Sequence, residues 1–222
     1  MVVKDCNFSV QKGEMIGLMG ESGSGKSTLA KLLIGLEKPS QGQVLLDGQP
    51  YSVKKSGVRI LLVFQDSLHS VNPNFTVEQV LTEALPKDVA RGEIEAILED
   101  VGLEKSFLNQ PARQLSGGQL QRICIARGLL LKPDILIFDE ALSGLDPIVQ
   151  GRLLRLLYDL WEKYQLTYLF ISHDFKLSYA LCHRILVMAD GEIVDEIKDF
   201  ELPIQAHHPV TKKLIGDKGH FS

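Results

Sequence analysis

Residues 20–27 read Gly20-Glu21-Ser22-Gly23-Ser24-Gly25-Lys26-Ser27, a glycine-punctuated run that matches the pattern G-x-x-x-x-G-K-[ST]. To its left, Glu14-Met15-Ile16-Gly17-Leu18-Met19 is short and mostly apolar and reads as a buried strand. To its right, Thr28-Leu29-Ala30-Lys31-Leu32-Leu33-Ile34-Gly35 is an apolar helix with a glycine near its end. Strand, glycine loop and helix in that order are the context in which the pattern binds phosphate. Glycines carry no Cβ, so backbone N–H groups can converge on phosphate oxygens. The helix that follows aims its positive end at the same oxygens. Lys26 brings a mobile cation to the β- and γ-phosphates of a nucleotide, and the Ser27 hydroxyl is a ligand for Mg²⁺. The bland alternative is a glycine-rich turn with an incidental lysine, and it leaves the flanking strand and helix to coincidence.

A second pattern supports the first. Ile135-Leu136-Ile137-Phe138-Asp139-Glu140 is an apolar strand that ends in two carboxylates. Asp139 at the strand end is placed to hold the shell of a bound Mg²⁺. Glu140 faces elsewhere, because strand side chains alternate, and it is the natural group to polarise an attacking water. Alone, this would be an ordinary acidic turn after a strand. Beside a phosphate loop it reads as half of a nucleotide-hydrolysing site.

The bulk properties fit one sizeable α/β domain. The chain has 222 residues, 45% of them hydrophobic, enough to bury a core. Its net charge of −4 and the absence of a basic arm argue against a nucleic-acid partner. Cys6, Cys124 and Cys182 form no C-x-x-C pair, which suits reduced thiols and excludes a disulfide framework. The opening residues carry charges where a secretion signal needs apolar ones, and no apolar run is long enough to span a bilayer. Service to a membrane would therefore be by docking.

Along the chain, Val44-Leu45-Leu46-Asp47-Gly48 reads as a strand and turn, and Arg59-Ile60-Leu61-Leu62-Val63-Phe64 as a second buried strand ending at Gln65. Helical periods replace strands over residues 76–85, 91–101 and 119–131, which predicts a helical lobe inserted in the α/β core. Strands resume at residue 135. An amphipathic helix over residues 149–164 leads to the strand Thr167-Tyr168-Leu169-Phe170-Ile171, and Asp190-Gly191 between two apolar runs is a hairpin signal.

Leu115-Ser116-Gly117-Gly118-Gln119-Leu120-Gln121-Arg122 narrows the field of phosphate-loop proteins. In physical terms Ser116-Gly117-Gly118 is a glycine-rich helix start, a second preformed anion site. The run resembles the signature sequence of ABC (ATP-binding cassette) ATPases. That resemblance implies a P-loop NTPase fold with a mixed sheet core at about 1–74 and 131–200, an inserted helical subdomain at about 75–130 and a C-terminal tail at about 201–222. It also implies that the signature residues Ser116, Gly117, Gly118 and Gln119 of one subunit close over the ATP held by its partner. Gln65 resembles the Q-loop glutamine, which touches Mg²⁺ and couples to the membrane subunit. Ser143-Gly144-Leu145-Asp146 resembles the D-loop, which communicates across the dimer. Ser172-His173-Asp174 resembles the switch histidine segment, which would bring His173 to the γ-phosphate. Taken by itself, a histidine after a strand is more often structural.

The stretch Phe64-Gln65-Asp66 through Asn72-Pro73 is similar to one found in the peptide and nickel importer ATPases, and Asp139-Glu140-Ala141-Leu142 looks most like the nickel-importing branch. The resemblance implies ATP and Mg²⁺ as ligands and a second, similar ATPase as a heterodimer partner. It further implies a pair of permease subunits, an extracytoplasmic solute-binding protein and a station on the cytoplasmic face of the membrane. A peptide importer and a non-transport ABC ATPase remain alternatives. A degenerate scaffold is disfavoured by the presence of Lys26, Asp139, Glu140 and His173 together. His207-His208 is read as a solvated tail, not a chelator, and Cys182-His183 as a half-buried helix-to-strand junction. The family carries a leading strand and an aromatic that stacks on adenine, yet no Tyr or Trp precedes Gly20, and Phe8 is read as a core strand residue. Either the start lies upstream, or ATP binds without that stack at a loss of ~1–3 kcal/mol.

Overall fold

The computed structural model describes residues 2–57, 59–64, 71–86, 89–142, 146–198, 200 and 204–216. The elements in chain order begin with strand β1 (Met15–Met19), helix α1 (Lys26–Leu33), the short hairpin β2 (Leu45–Leu46) and β3 (Gln49–Pro50), and helix α2 (Val53–Ser56). Strand β4 (Ile60–Phe64) and helices α3 (Val77–Thr82), α4 (Arg91–Asp100) and α5 (Gly117–Leu130) follow. The remainder is β5 (Ile135–Asp139), α6 (Pro147–Tyr164), β6 (Thr167–Ile171), α7 (Phe175–Leu181), β7 (Arg184–Ala189), β8 (Glu192–Ile197) and α8 (Pro209–Ile215).

Among the described residues six strands form one mixed sheet in the order β4-β5-β6-β1-β7-β8. All neighbours run parallel except the last pair, β7 and β8, which are antiparallel. Its central strands β5, β6, β1 and β7 are buried on both faces, as parallel strands must be, while the antiparallel edge strand β8 is mostly half-exposed. Alternation in each strand divides its side chains between the two faces. Met15, Met19, Leu136, Phe138, Tyr168 and Phe170 join one core cluster, while Ile16, Leu18, Ile137, Leu169 and Ile171 join the other with Leu29 and Ala30 of α1. Asp190 and Gly191 both take positive φ, +49° and +87°, the two-residue turn that the hairpin signal anticipates.

The register fixes where chemistry can happen. Asp139 pairs with Ile171, Leu18 with Ile171, and Phe64 with Asp139. The carboxyl ends of β4, β5, β6 and β1 therefore lie level with one another, and ligands of open α/β sheets bind along such a rim. Helices α3, α4 and α5 pack through Val77, Val80, Leu81, Ile94, Ile97, Leu98, Leu120 and Ile123, and this core runs on without a break into the sheet. Gly128 lets α5 approach the sheet: a Cβ there would lie 2.9 Å from Leu61.

Two expectations are corrected. Residues 2–14 form no strand, and Phe8 is a half-buried side chain packed on the smaller cluster. The segment from residue 204 is not a solvated tail either. Ile204 and Thr211 are buried, and Asp195 accepts hydrogen bonds from the His208 N–H and the Thr211 hydroxyl. His208 Nδ1 also accepts from the Val210 N–H and so caps α8, while His207 stays exposed. At the predicted junction Cys182 is buried, and the exposed His183 accepts the Met15 N–H at 2.9 Å through Nδ1.

Candidate functional site

The loop after β1 is held tightly from beneath. Gly20 faces the β7 backbone so closely that a Cβ would lie 2.3 Å from the Met188 carbonyl oxygen. The Ser24 carbonyl accepts the Gly191 N–H at 3.0 Å, and the Gly191 carbonyl accepts the Lys4 N–H at 2.7 Å. Opening segment, phosphate loop and hairpin turn are thus laced together. Gly25 then starts α1 at φ +110°, a conformation that suits glycine alone, and no side chain caps the helix. Its first N–H groups are left for a ligand to satisfy.

Lys26 is buried, and its Nζ donates to the Gly20 and Glu21 carbonyls at 2.7 and 2.9 Å. Burial pushes this ammonium below its ordinary value, against the pull of Glu140 and Asp139. Burial likewise pushes the Asp139 carboxyl up, opposed by a hydrogen bond from Ser27 and the charge of Lys26. Both charged groups are therefore costly as they stand, the condition of a site built to receive a counter-charged ligand. The Glu21 carboxylate meets Lys213 of α8 at 2.5 Å, a contact no local pattern announces.

Glu140 takes φ +52°, a left-handed conformation rare for such a residue, with its N–H donated to the Ile171 carbonyl at 2.9 Å. Its carboxylate lies 3.0 Å from Nδ1 of His173. His173 is fixed on both sides. Ser172 donates its N–H to Leu18, and Asp174 caps α7 by accepting from Lys176 and Leu177.

These elements wall one cavity of about 880 Å³, lined by Glu21, Ser22, Gly23, Gly25, Lys26, Ser27, Thr28, Asp139, Glu140 and His173, with Val2 at its edge. Val2 is a lining residue that no motif identifies. Gly20 and Ser24 support the loop without lining the cavity. Gln65 lies outside the described residues, as do Ser143, Gly144 and Leu145. Ser116, Gly117, Gly118 and Gln119 are elsewhere, at the start of α5. There the Ser116 hydroxyl accepts from the Gln119 N–H, and the Gln119 amide oxygen accepts from the Ser116 N–H at 2.8 Å, a complete capping box. Asp146 does not reach the cavity and caps α6 by accepting from Ile148 at 2.9 Å.

Ser27 and Asp139 offer hydroxyl and carboxylate oxygens side by side, a donor set that suits a hard cation. Among the described residues no group of three acidic, histidine or cysteine side chains could hold a metal alone. A cation here would be completed by phosphate oxygens and water, which is the habit of Mg²⁺.

Comparison with known proteins agrees with this geometry. Residues 3–143 match the family model described as ABC transporter. The chain is 42% identical over 206 residues to the nickel import ATP-binding protein NikE of Shigella dysenteriae, covering 87% of this chain and 77% of that one. It is 38% identical to the metal-staphylopine import system ATP-binding protein CntF of Staphylococcus aureus, over 96% of this chain and 88% of that one. Among solved structures it superposes on cbiO1 of Clostridium perfringens, part of the cbiONQ transporter complex, with a TM-score of 0.80 and 28% identity over 88% and 81% of the two chains. The cassette MJ0796, in a dimeric post-hydrolysis state bound to ADP and Pi, aligns with a TM-score of 0.73 and 28% identity over 89% and 90%.

Proposed function

The chain belongs to the ABC transporter family, and from that premise we propose that it is the ATP-hydrolysing subunit of a metal importer whose cargo is nickel or a nickel chelate. The observation that carries the hydrolytic half is the single cavity where the phosphate loop, Asp139, Glu140 and His173 meet. The cargo half is supported by the relatives, one named for nickel import and one for metal–staphylopine import. The ATP site itself makes no contact with cargo.

In this reading the triphosphate takes up the uncapped N–H groups of α1, and Lys26 exchanges the Gly20 and Glu21 carbonyls for phosphate oxygens. Ser27 and Asp139 would hold Mg²⁺, joined by Gln65 as the family resemblance implies, and the ion would supply charge that offsets that of the phosphates. Glu140 orients the water for in-line attack and takes its proton. His173, beside Glu140, donates toward the γ-phosphate. Ser116 to Gln119 contribute in trans, from a second cassette set head-to-tail. Both the exposure of Ser116 and Gly117 and their distance from the cavity lining suit that role. Permease subunits receive the motion. Among the described residues no helix is long and apolar enough to cross a membrane, so attachment at the cytoplasmic face would be peripheral.

Glu140→Gln tests the reading. ATP hydrolysis is expected to fall about 10²- to 10⁴-fold while ATP binding persists. Hydrolysis at the unmutated rate would strip Glu140 of the role.

A further inference from the structure

Gln121 lies on α5 just past its capped tip and is buried, with 6% of its surface exposed. Its neighbours Leu120, Ile123 and Ile125 are apolar core residues. An apolar side chain would fill that space with no need of a partner, whereas a buried amide must find one. The partner is the Ala141 carbonyl, which accepts from Gln121 Nε2 at 2.7 Å.

What that bond holds is the backbone immediately after Glu140. A left-handed conformation costs an ordinary residue ~1–2 kcal/mol, and it persists only where the surroundings over-determine it. Here three bonds from three elements do so. The Glu140 N–H goes to Ile171 of β6, the Ala141 carbonyl takes Gln121 of α5, and the Leu142 carbonyl takes Gln150 of α6 at 3.1 Å. Only the second of these comes from the helix whose tip is the Ser116-Gly117-Gly118 turn.

We propose that Gln121 is a positioning residue for Glu140. Through the Ala141 carbonyl it keeps the carboxylate in its pose beside His173 and makes that pose depend on where the signature helix sits. The Glu140 carboxylate and the tip that would close over a partner's nucleotide are then two ends of one short rigid linkage, five residues of helix and one hydrogen bond. The inference rests on Glu140 acting as the base.

Gln121→Met keeps an unbranched side chain of similar length and removes the donor. In the transporter assembled from the full chain and its membrane subunits, kcat for ATP hydrolysis is expected to fall about 10- to 100-fold, the scale of a small misplacement of a reacting group. KM for ATP is expected to stay within about twofold. In a Glu140→Gln background, Gln121→Met should cause no further loss in single-turnover rate, because the residue acts only through the carboxylate. Unaltered kcat, a rise in KM that accounts for the loss, an additive loss in the double variant, or a chain that does not fold would each overturn the proposal. Undiminished hydrolysis by Glu140→Gln alone would instead overturn the assignment of the base.

Discussion

Helix α1 starts at Gly25 with no side chain over its first N–H groups, whereas α5 starts at Ser116 inside a complete capping box with Gln119. Both starts are rich in glycine, and sequence alone makes both anion sites. The structure separates them. At α1 no side chain caps the first turn, the start lies in the wall of the cavity, and burial makes both Lys26 and Asp139 costly to charge. At α5 the local donors are partly satisfied by the helix itself, and Ser116 and Gly117 face outward. The first is unfinished without a ligand. The second is finished as a helix and unfinished only as half of an interface. That difference is what a division of labour between subunits requires: one end grips the nucleotide, and the other arrives from a partner.

Removing Lys26 should expose the contrast most sharply. A charge-assisted bond to phosphate is worth ~1.5–3 kcal/mol, so Lys26→Ala is expected to weaken ATP binding to the isolated chain by about 10- to 100-fold. Ser116→Ala in the same titration should leave affinity unchanged, because Ser116 does not line the cavity. Equal losses from the two variants would mean that both tips serve the same bound nucleotide within one chain.

The sequence made the α1 side of this comparison legible because its signals are local. A phosphate loop, an apolar strand ending at Asp139 and an Asp190-Gly191 turn each declare themselves within a few residues and lie where their patterns predict. Glu140 does not follow its pattern: it lies one residue past the strand in a left-handed conformation, so it lines the same cavity as Asp139 instead of facing elsewhere by strand alternation. Long-range partners stayed hidden. Nothing in the spacing of Glu140 and His173 says that they lie 3.0 Å apart; that follows from β5 and β6 being neighbours in register. The reach of Gln121 to Ala141 and of Lys213 to Glu21 depends on tertiary packing, and so do the burial of Thr211 and the capping by His208. Phe8 misleads because the family's strand order places it in a strand, whereas here it packs on the smaller core cluster from a segment that forms no strand.

A smaller effect is expected at the α5 tip. Losing a Ser cap costs ~1 kcal/mol, a fall in melting temperature of about 2–4 °C for a chain of this size. Ser116→Ala should show that fall in the ligand-free protein, and ATP should not offset it more than it stabilises the unmutated chain. The α1 start has no side-chain cap to lose, so its stability should instead rise with ATP concentration. A Ser116→Ala chain that melts with the wild type would show that the tip holds its shape without the box.

The smallest shift is expected from the charge at Asp139, and its sign is opposite. Burial, the leading influence, raises the folded-state pKa of this carboxyl above the unfolded value. The folded chain therefore binds that proton more tightly than the unfolded chain does, and ionisation detracts from stability once the pH exceeds the ordinary carboxylate range. Asp139→Asn keeps an oxygen for the Ser27 hydroxyl and cannot ionise. Without ligand it is expected to melt slightly above the wild type at neutral pH, and the gap should close as the pH falls through the raised value toward the ordinary one. With Mg²⁺ and ATP present the order should reverse, since the wild-type carboxylate then has the cation it was held ready for. A variant that is less stable than the wild type at neutral pH without ligand would mean that Lys26 already satisfies Asp139, and that the α1 side is as self-sufficient as the capped tip of α5.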